Sequence, residues 1–113
     1  MRKRHRAPHV GTTATTFAAL GDETRLKLIS RLIDAGPQSI AALADGFDIS
    51  RQAISKHLRV ISSAGLATSE QRGRETVWQL ESRALDEARR YLDLISKDWD
   101  DKLRRLKDFV ESK

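Results

Sequence analysis

The sequence predicts an α+β fold that is mostly helical. Along most of the chain, apolar residues recur at spacings of three and four, which is the pattern of helices that bury one face. Between residues 66 and 80 the spacing changes to two, which is typical of β-strands. With 113 residues, of which 39% are hydrophobic, the chain can form one small core, so we expect one domain with an additional helix or tail.

The net charge of +5 is unevenly distributed. Residues 1–10 contain four basic and no acidic side chains, and residues 50–74 contain five basic and one acidic side chain. The two remaining segments, residues 11–49 and 75–113, are slightly acidic. Two concentrated regions of positive charge favour a polyanionic partner, and we expect nucleic acid rather than a membrane surface.

The composition argues against several classes of protein. The sequence contains no cysteine, which excludes disulfides and thiolate metal sites within it. No apolar run approaches the roughly 18 residues of a membrane helix, and no apolar stretch follows the basic N-terminus as in a signal peptide. No nucleophile elbow, phosphate loop or metal-ligand cluster is present, so we assign no catalytic residue and do not expect an enzyme. The absence of cysteine fits a cytoplasmic protein, which is the location we expect.

The first third of the chain predicts a basic arm and two helices. Residues 1–11 predict a disordered arm, which either only aids solubility or contacts DNA. A short helix follows over residues 12–20. Asp22 is suited to cap the next helix, which extends to about Ala35. We expect that helix to bury an apolar stripe formed by Leu26, Ile29, Leu32 and Ile33.

Residues 39–65 predict two helices joined by a tight turn. Ser39 is suited to cap a short helix, and Gly46 ends it. Ser50 is suited to cap a second helix, which ends at Gly65 because glycine readily adopts the left-handed conformation found at helix ends. A short helix, a glycine-containing turn and a second amphipathic helix form the pattern of a helix-turn-helix.

The second of these helices has two unlike faces. Ile54, Leu58 and Ile61 are spaced by four and three, so they predict a buried stripe. His57 adjoins the stripe, and we expect it to be partly buried and hydrogen-bonded rather than a pH switch or a ligand. The opposite face carries cationic, amide and hydroxyl side chains, which suit the major groove of DNA. The predicted DNA contacts are Ser50, Arg51, Gln52, Ser55, Lys56 and Arg59.

These contacts divide by chemistry. Gln52 and Ser55 suit contacts to base edges, since an amide can pair bidentately with adenine. Arg51 and Arg59 suit either guanine or phosphate. On an isolated helix the same residues would be ordinary solvated side chains, but the preceding turn and the following hairpin favour DNA contact.

The predicted hairpin comprises residues 66–71 and 75–80, with Arg72, Gly73 and Arg74 between its strands. Gly73 can supply the positive φ that a tight turn needs. The two arginines are then displayed on a projection, where they either aid solubility or contact phosphates or the minor groove. We favour contact with DNA.

From residue 82 to about residue 111 the spacing is helical again. Such a helix is about 45 Å long, at 1.5 Å per residue, and is too long to be buried along its whole length on so small a domain. The alternatives are packing on its own core and self-association, and we favour self-association. The apolar positions are Leu85, Ala88, Leu92, Ile95, Trp99, Leu103, Leu106 and Val110.

Four fragments of the sequence resemble those of one known family, in the same order and spacing. Residues 19–25, ALGDETR, resemble its opening L-x-D-x-T-R, and residues 50–58, SRQAISKHL, resemble its recognition-helix signature S-x-x-x-[VI]-S-x-H-L. Residues 64–66 resemble its A-G-L, and residues 72–74 resemble the basic tip of its wing. The chain therefore resembles the ArsR/SmtB-type winged-helix transcriptional repressors.

The resemblance implies a homodimer and repression through occupation of promoter DNA. It places the helix from Ser50 in the major groove and the hairpin along the adjacent backbone or minor groove. It also implies that the first and last helices of each subunit form the dimer interface, for which the expected residues are Phe17, Leu92, Ile95, Trp99, Leu103 and Leu106.

The sequence departs from the metal-sensing members of that family. Residues 39–47 contain neither cysteine nor histidine, and no histidine follows His57. The aspartates between residues 93 and 101 more often form a solvated face than a cation site. Residues 99–106 instead resemble the W-x3-L-x2-L motif of a metal-independent branch. We therefore expect no metal and no cofactor, and the sequence does not identify an effector.

Together these observations predict three regions: a basic arm over residues 1–11, a winged helix-turn-helix DNA-binding domain over residues 12–81 and a dimerisation helix over residues 82–113. The expected function is that of a homodimeric repressor of double-stranded DNA operators, its own promoter among the candidates. Two recognition helices about 34 Å apart predict a palindromic operator. The alternative is a winged-helix protein–protein interaction module.

Overall fold

The computed structural model describes residues 10–112, which form five helices and three strands. The predicted arm lies largely outside the described residues, but Val10 and Gly11 belong to the first helix rather than to the arm. The elements in chain order are α1 (Val10–Leu20), α2 (Glu23–Ala35), β1 (Gln38–Ser39), α3 (Ile40–Ala44), α4 (Arg51–Ser63), β2 (Ala67–Arg72), β3 (Glu75–Leu80) and α5 (Ser82–Glu111).

Three helices begin at the side chains that the sequence predicts as caps. The Asp22 carboxylate accepts a hydrogen bond from the Arg25 backbone N–H at 3.0 Å, at the start of α2. Ser39 and Ser50 accept equivalent bonds from backbone N–H groups in the first turns of α3 and α4, at 3.2 and 3.1 Å. Each cap satisfies a backbone donor that has no partner within its helix.

The three strands form an antiparallel sheet in the order β1-β3-β2. The predicted hairpin is confirmed, with Ala67 opposite Leu80 and Arg72 opposite Glu75. Arg72 is thus the last residue of β2, and the turn consists of Gly73, whose φ is 62°, and Arg74. Strand β1 was not predicted, because two residues are too few to show a period.

The core lies between the sheet and helices α1 to α4, with the first turns of α5 packed against it. The predicted stripe of α4 is confirmed, since Ile54, Leu58 and Ile61 are fully buried. Among the described residues, the other large apolar side chains that are fully buried are Leu28, Leu43 and Leu66.

The prediction for α2 is wrong at two of its four positions. Leu26 and Ile33 are 47% and 61% exposed, and Leu28 is buried instead. The reason is that Arg25 continues the buried face of α2, where it donates hydrogen bonds to carbonyls of α1. The predicted stripe contains apolar residues only and omits this arginine. The predicted buried face of α2 is therefore rotated toward Leu26.

Helix α5 is half packed and half projecting. Ala84 and Ala88 are buried against the rest of the domain, whereas every large apolar side chain of this helix from Leu92 to Val110 is 46–62% exposed. The described chain accordingly extends over 69 × 42 × 20 Å, and its radius of gyration is 19.0 Å. A compact domain of about 100 residues has a radius near 13 Å. The prediction that this helix is too long for the domain to bury is confirmed. Across residues 10–112, no helix is both long and apolar enough to span a membrane.

Candidate nucleic-acid interface

The outer face of α4 carries the predicted DNA contacts. Arg51, Gln52, Lys56 and Arg59 are exposed, and Ser55 is half-buried at the edge of this face. The three buried isoleucine and leucine side chains of the opposite face hold α4 against the core. Because the polar side chains are long and point away from this fixed face, they can reach a ligand without disturbing the packing.

Arg31 of α2 holds the turn of the helix-turn-helix. Its Nη1 donates to the carbonyl of Leu43 at 2.8 Å and to that of Ala42 at 3.4 Å, near the C-terminal end of α3. Its guanidinium also lies over the ring of Phe47, 4.8 Å from the centroid. Unpaired carbonyls at a helix end carry partial negative charge, so a cation there is favourable.

Gly46 allows Arg31 to occupy this position. The φ of Gly46 is 87°, which other residues rarely adopt, and a Cβ at this position would lie 2.7 Å from Nη2 of Arg31. The backbone conformation therefore favours glycine here, and a larger residue would also displace the guanidinium of Arg31. The turn and the arginine together fix the start of α4 relative to α3.

A second polar cluster fixes the middle of α4. Arg25 donates from Nε to the carbonyl of Ala19 at 2.8 Å, and its Nη1 lies 3.4 Å from Nδ1 of His57. Because a guanidinium only donates, this contact is a hydrogen bond in the tautomer whose Nδ1 carries no proton. Asp22 Oδ2 lies 3.8 Å from the same nitrogen. The prediction that His57 is partly buried and hydrogen-bonded is confirmed, and the cluster joins α1, α2 and α4.

The same cluster affects the charge of Asp22. The hydrogen bond from the Arg25 backbone N–H lowers the pKa of the Asp22 carboxyl below its ordinary value. The charge of the Arg25 guanidinium and the nearby His57 act in the same direction, while burial opposes them. The ionised carboxylate is thus the form that the folded chain favours.

Arg74 of the hairpin and the first turns of α4 line one groove. This groove, of about 430 Å³, lies between α3, α4 and β3, and Arg51, Gln52 and Ser55 are among its lining residues. A second hollow continues along α4, past Lys56 and Arg59. The structure therefore brings the predicted contacts of α4 together with one of the two predicted contacts of the hairpin.

Arg72 lies elsewhere. It is on the edge strand β2, where its Nη2 is 3.5 Å from Oε1 of Glu70, and it faces Glu75 across the ladder. It is not among the residues that line the groove. The two arginines that the sequence treats as equivalent therefore differ in position, although Glu75 lies in the groove with Arg74 as well.

Gln71 and Thr76 were not singled out by the sequence. The Thr76 hydroxyl donates to Oε1 of Gln71 at 3.0 Å, and Nε2 of Gln71 donates to the carbonyl of Gly73 at 3.4 Å. These bonds brace the hairpin tip beside Arg74. Gln71 and Thr76 face each other in the ladder. The sequence could reveal this pair only through a correct prediction of the hairpin register.

The predicted interface residues of α5 lie along one face of its projecting half. Leu92, Ile95, Trp99, Leu103 and Leu106 are all exposed, whereas Phe17 on α1 is half-buried. Among the described residues, no group of three or more histidine or acidic side chains is arranged to hold a metal ion. Of the aspartates on α5, Asp101 forms an ion pair with Arg104 at 3.2 Å.

Comparisons with known proteins agree on the kind of protein. Residues 20–70 match the model of a helix-turn-helix domain family. The transcriptional regulator Rv2034 of Mycobacterium tuberculosis is 36% identical over 77 residues, which cover 68% of this chain and 71% of that protein. The arsenical resistance operon repressor of Bacillus subtilis is 30% identical over 64 residues, or 57% of this chain and 61% of that one.

A solved structure extends the similarity to nearly the whole chain. An ArsR-like transcriptional regulator from Rhodococcus sp. RHA1 superimposes with a TM-score of 0.77 and 36% identity, over 88% of this chain and 92% of that one. A helix-turn-helix with a basic outer face and an adjoining hairpin defines a DNA-binding transcriptional regulator, not an enzyme. The chain belongs to the ArsR family of winged-helix regulators. The predicted fold class and family are confirmed, and the interaction-module alternative loses its support.

Proposed function

We propose that this regulator is a homodimeric repressor that binds a palindromic operator through α4 and the hairpin, without a metal signal. The observation that carries the proposal is the shared groove, in which Arg51, Gln52 and Ser55 of α4 lie beside Arg74 of the hairpin. A surface that combines amide, hydroxyl and guanidinium groups can read base edges and hold phosphates at once.

The roles divide along this surface. Gln52 and Ser55 are the proposed base contacts, since they project from the first two turns of α4 and line the groove. The proposed contacts to the DNA backbone are Arg51, Lys56, Arg59, Arg74 and the capping Ser50. Each of the four cations can also reach guanine. Arg72 is a weaker candidate because Glu70 already lies beside its guanidinium.

The remaining parts of the proposal concern assembly and signal. Residues 12–81 would form the DNA-binding unit and residues 82–113 the dimerisation helix, with Phe17 of α1 contributing to the interface. The exposed apolar face of α5 supports pairing. The absence of cysteine from the sequence supports a signal other than a thiolate-bound metal. We place the protein in the cytoplasm, because a promoter-binding repressor acts where the genome lies.

A gel-shift experiment tests the proposal. The full chain is titrated onto DNA from upstream of its own gene and onto shuffled DNA of equal length, with and without zinc. We expect a specific shift that zinc does not release. Gln52→Ala should reduce discrimination by about 1–3 kcal/mol at one base pair while leaving binding to shuffled DNA unchanged.

The control is Arg90→Ala, which removes an exposed cation of α5 away from the groove. It should bind both DNAs like the parent protein. Equal affinity of the parent for specific and shuffled DNA, at its own promoter and at neighbouring operons, would contradict operator binding. Release by zinc would contradict the absence of a metal signal.

A further inference from the structure

The cation that the hairpin contributes to the groove is not held by bonds of its own side chain. Arg74 lies in the two-residue turn between β2 and β3, and it lines the groove beside Arg51, Gln52 and Ser55 of α4. Within residues 10–112, its guanidinium forms neither an ion pair nor a hydrogen bond. The position of this cation in the free protein therefore depends on how well the backbone of the turn is held.

The residue pair next to the turn lies on the side of the hairpin that faces the domain. Gln71 and Thr76 are directly opposite each other in the ladder. Side chains two residues apart on a strand share a face, so Thr76 is on the same face as Trp78, which is buried in the core. Thr76 itself lines the groove, whereas Gln71 does not.

The side-chain amide of Gln71 links the second strand to the turn. Its Oε1 accepts a hydrogen bond from the Thr76 hydroxyl at 3.0 Å, and its Nε2 donates to the carbonyl of Gly73 at 3.4 Å. Glycine is the residue with the greatest backbone freedom, and Gly73 directly precedes Arg74. The amide thus restrains the most mobile backbone position beside the cation.

We propose that Gln71 is a positioning residue for DNA binding, because it holds the turn that presents Arg74 to the DNA backbone. The inference rests on the proposed contact of Arg74 with DNA and adds what makes that contact effective. A contact made by a mobile segment loses affinity to the entropy of ordering that segment, and a segment that is already ordered avoids this loss. Gln71 acts through the arginine and does not itself contact DNA.

The same hairpin contains a matched pair of side chains for comparison. Thr68 and Gln79 also lie opposite each other across the two strands, near the end that is far from the turn. Both are exposed, and they project from the other face of the hairpin. No hydrogen bond joins their side chains within the described part of the chain. Substitutions at this pair change the same residue types on the same strands without affecting the turn.

NMR relaxation of backbone amides tests the order of the turn in the free, full chain. Gln71→Ala and Thr76→Val should lower the order parameters of Gly73 and Arg74 from the rigid range of about 0.85 to below about 0.6. Thr76→Ser keeps the hydroxyl and should retain the values of the parent, as should the control Gln79→Ala. Unchanged order in Gln71→Ala would overturn the proposal.

A double-mutant cycle tests whether Gln71 acts through Arg74 on DNA. Gln71→Ala should weaken binding to promoter DNA and to shuffled DNA alike, by about threefold to tenfold. The slope of log affinity against log salt should stay that of the parent, since the arginine can still reach a phosphate. In an Arg74→Ala background the same substitution should weaken binding by less than about twofold, because no cation remains to be positioned. Thr68→Val and Gln79→Ala are the controls and should bind like the parent.

The outcomes separate this proposal from the proposed function. An equal loss with and without Arg74 would overturn the proposal, because Gln71 would then act independently of the arginine. A loss confined to promoter DNA would also overturn it, since Gln71 would then be a base contact. A parent protein that binds promoter and shuffled DNA equally would overturn operator recognition, but the cycle on shuffled DNA would still test the coupling to Arg74. A parent that binds neither DNA would overturn both proposals.

Discussion

Arg25 and Arg31 both lie on α2, and each donates hydrogen bonds to carbonyls at or near the C-terminal end of a neighbouring helix. Arg25 binds carbonyls at the end of α1, and Arg31 binds carbonyls near the end of α3. These two cations stabilise the domain rather than the contact with DNA. The basic residues of this chain therefore serve two purposes, which a count of charge does not distinguish.

The lowered pKa of Asp22 predicts how stability depends on pH. Because the carboxyl has a lower pKa in the folded chain than in the unfolded one, its contribution is present above the unfolded pKa of 3.8. It is lost as the pH falls through the folded value. Asp22→Asn keeps a capping side chain but removes the charge, so it should destabilise the protein at pH 7 and not at the lowest pH.

Urea unfolding at pH 7 and pH 3 provides the measurement, with Asp34→Asn as the control because Asp34 is exposed near the other end of α2. The difference in stability between the two variants should be present at pH 7 and shrink toward pH 3. A difference that does not change with pH would contradict the role of the Asp22 charge.

The unlike surroundings of the two hairpin arginines predict unlike effects on DNA binding. Arg74→Ala should weaken binding to all sequences and flatten the slope of log affinity against log salt by roughly one unit, as for a lost phosphate contact. Arg72→Ala should change the slope less, since Glu70 lies beside its guanidinium. Binding isotherms between 50 and 200 mM salt, about a fourfold range, measure both slopes. Equal slopes in the two variants would mean that the hairpin is oriented differently on DNA.

At the scale of the elements, periodicity predicted the helices and the hairpin, and caps fixed the starts of α2, α3 and α4. Strand β1 could not be predicted, because it is defined by its pairing with Trp78 and Val77 of a distant strand. The roles of Arg25 and Arg31 could not be predicted either. Each depends on carbonyls of another helix, and such a contact leaves no repeat in the sequence.

The corrected face of α2 predicts which leucine matters for stability. Leu28→Ala removes a fully buried side chain and should lower the free energy of unfolding by about 2–5 kcal/mol. Leu26→Ala, on the same helix but nearly half exposed, should cost no more than about 1 kcal/mol. Chemical denaturation followed by circular dichroism measures both. If the order were reversed, the stripe drawn from the sequence would be the buried one.

At the scale of the whole molecule, the long α5 was predictable from a sustained helical repeat, and so was the excess of its length over the domain. The candidate site was predictable as a set of side chains on α4, since a stripe of three buried residues fixes which face is outward. Arg74 joins this set and Arg72 does not. This difference depends on the twist and register of the hairpin, which the sequence does not specify.

The exposed apolar face of α5 predicts that pairing and specific DNA binding are lost together. Leu103→Ser should convert the protein to a monomer at micromolar concentration and abolish the specific gel shift, because the two half-sites are then bound separately. Leu94→Ser changes an equally exposed leucine on the other face of α5 and should leave both properties intact. Sedimentation and gel shift on the same samples measure them. Specific binding by a monomeric Leu103→Ser protein would contradict the need for pairing.

The proposed pairing through α5 would also connect gene control to cell growth. In the proposed dimer each chain contributes one α4 helix, and a two-fold operator requires two, so its occupancy would follow the concentration of paired chains. Where most chains are single, that concentration scales with the square of their abundance. A twofold dilution by growth then lowers the concentration of paired chains to about one quarter. Promoters under this regulator would be released by growth alone whenever synthesis of the chain falls behind.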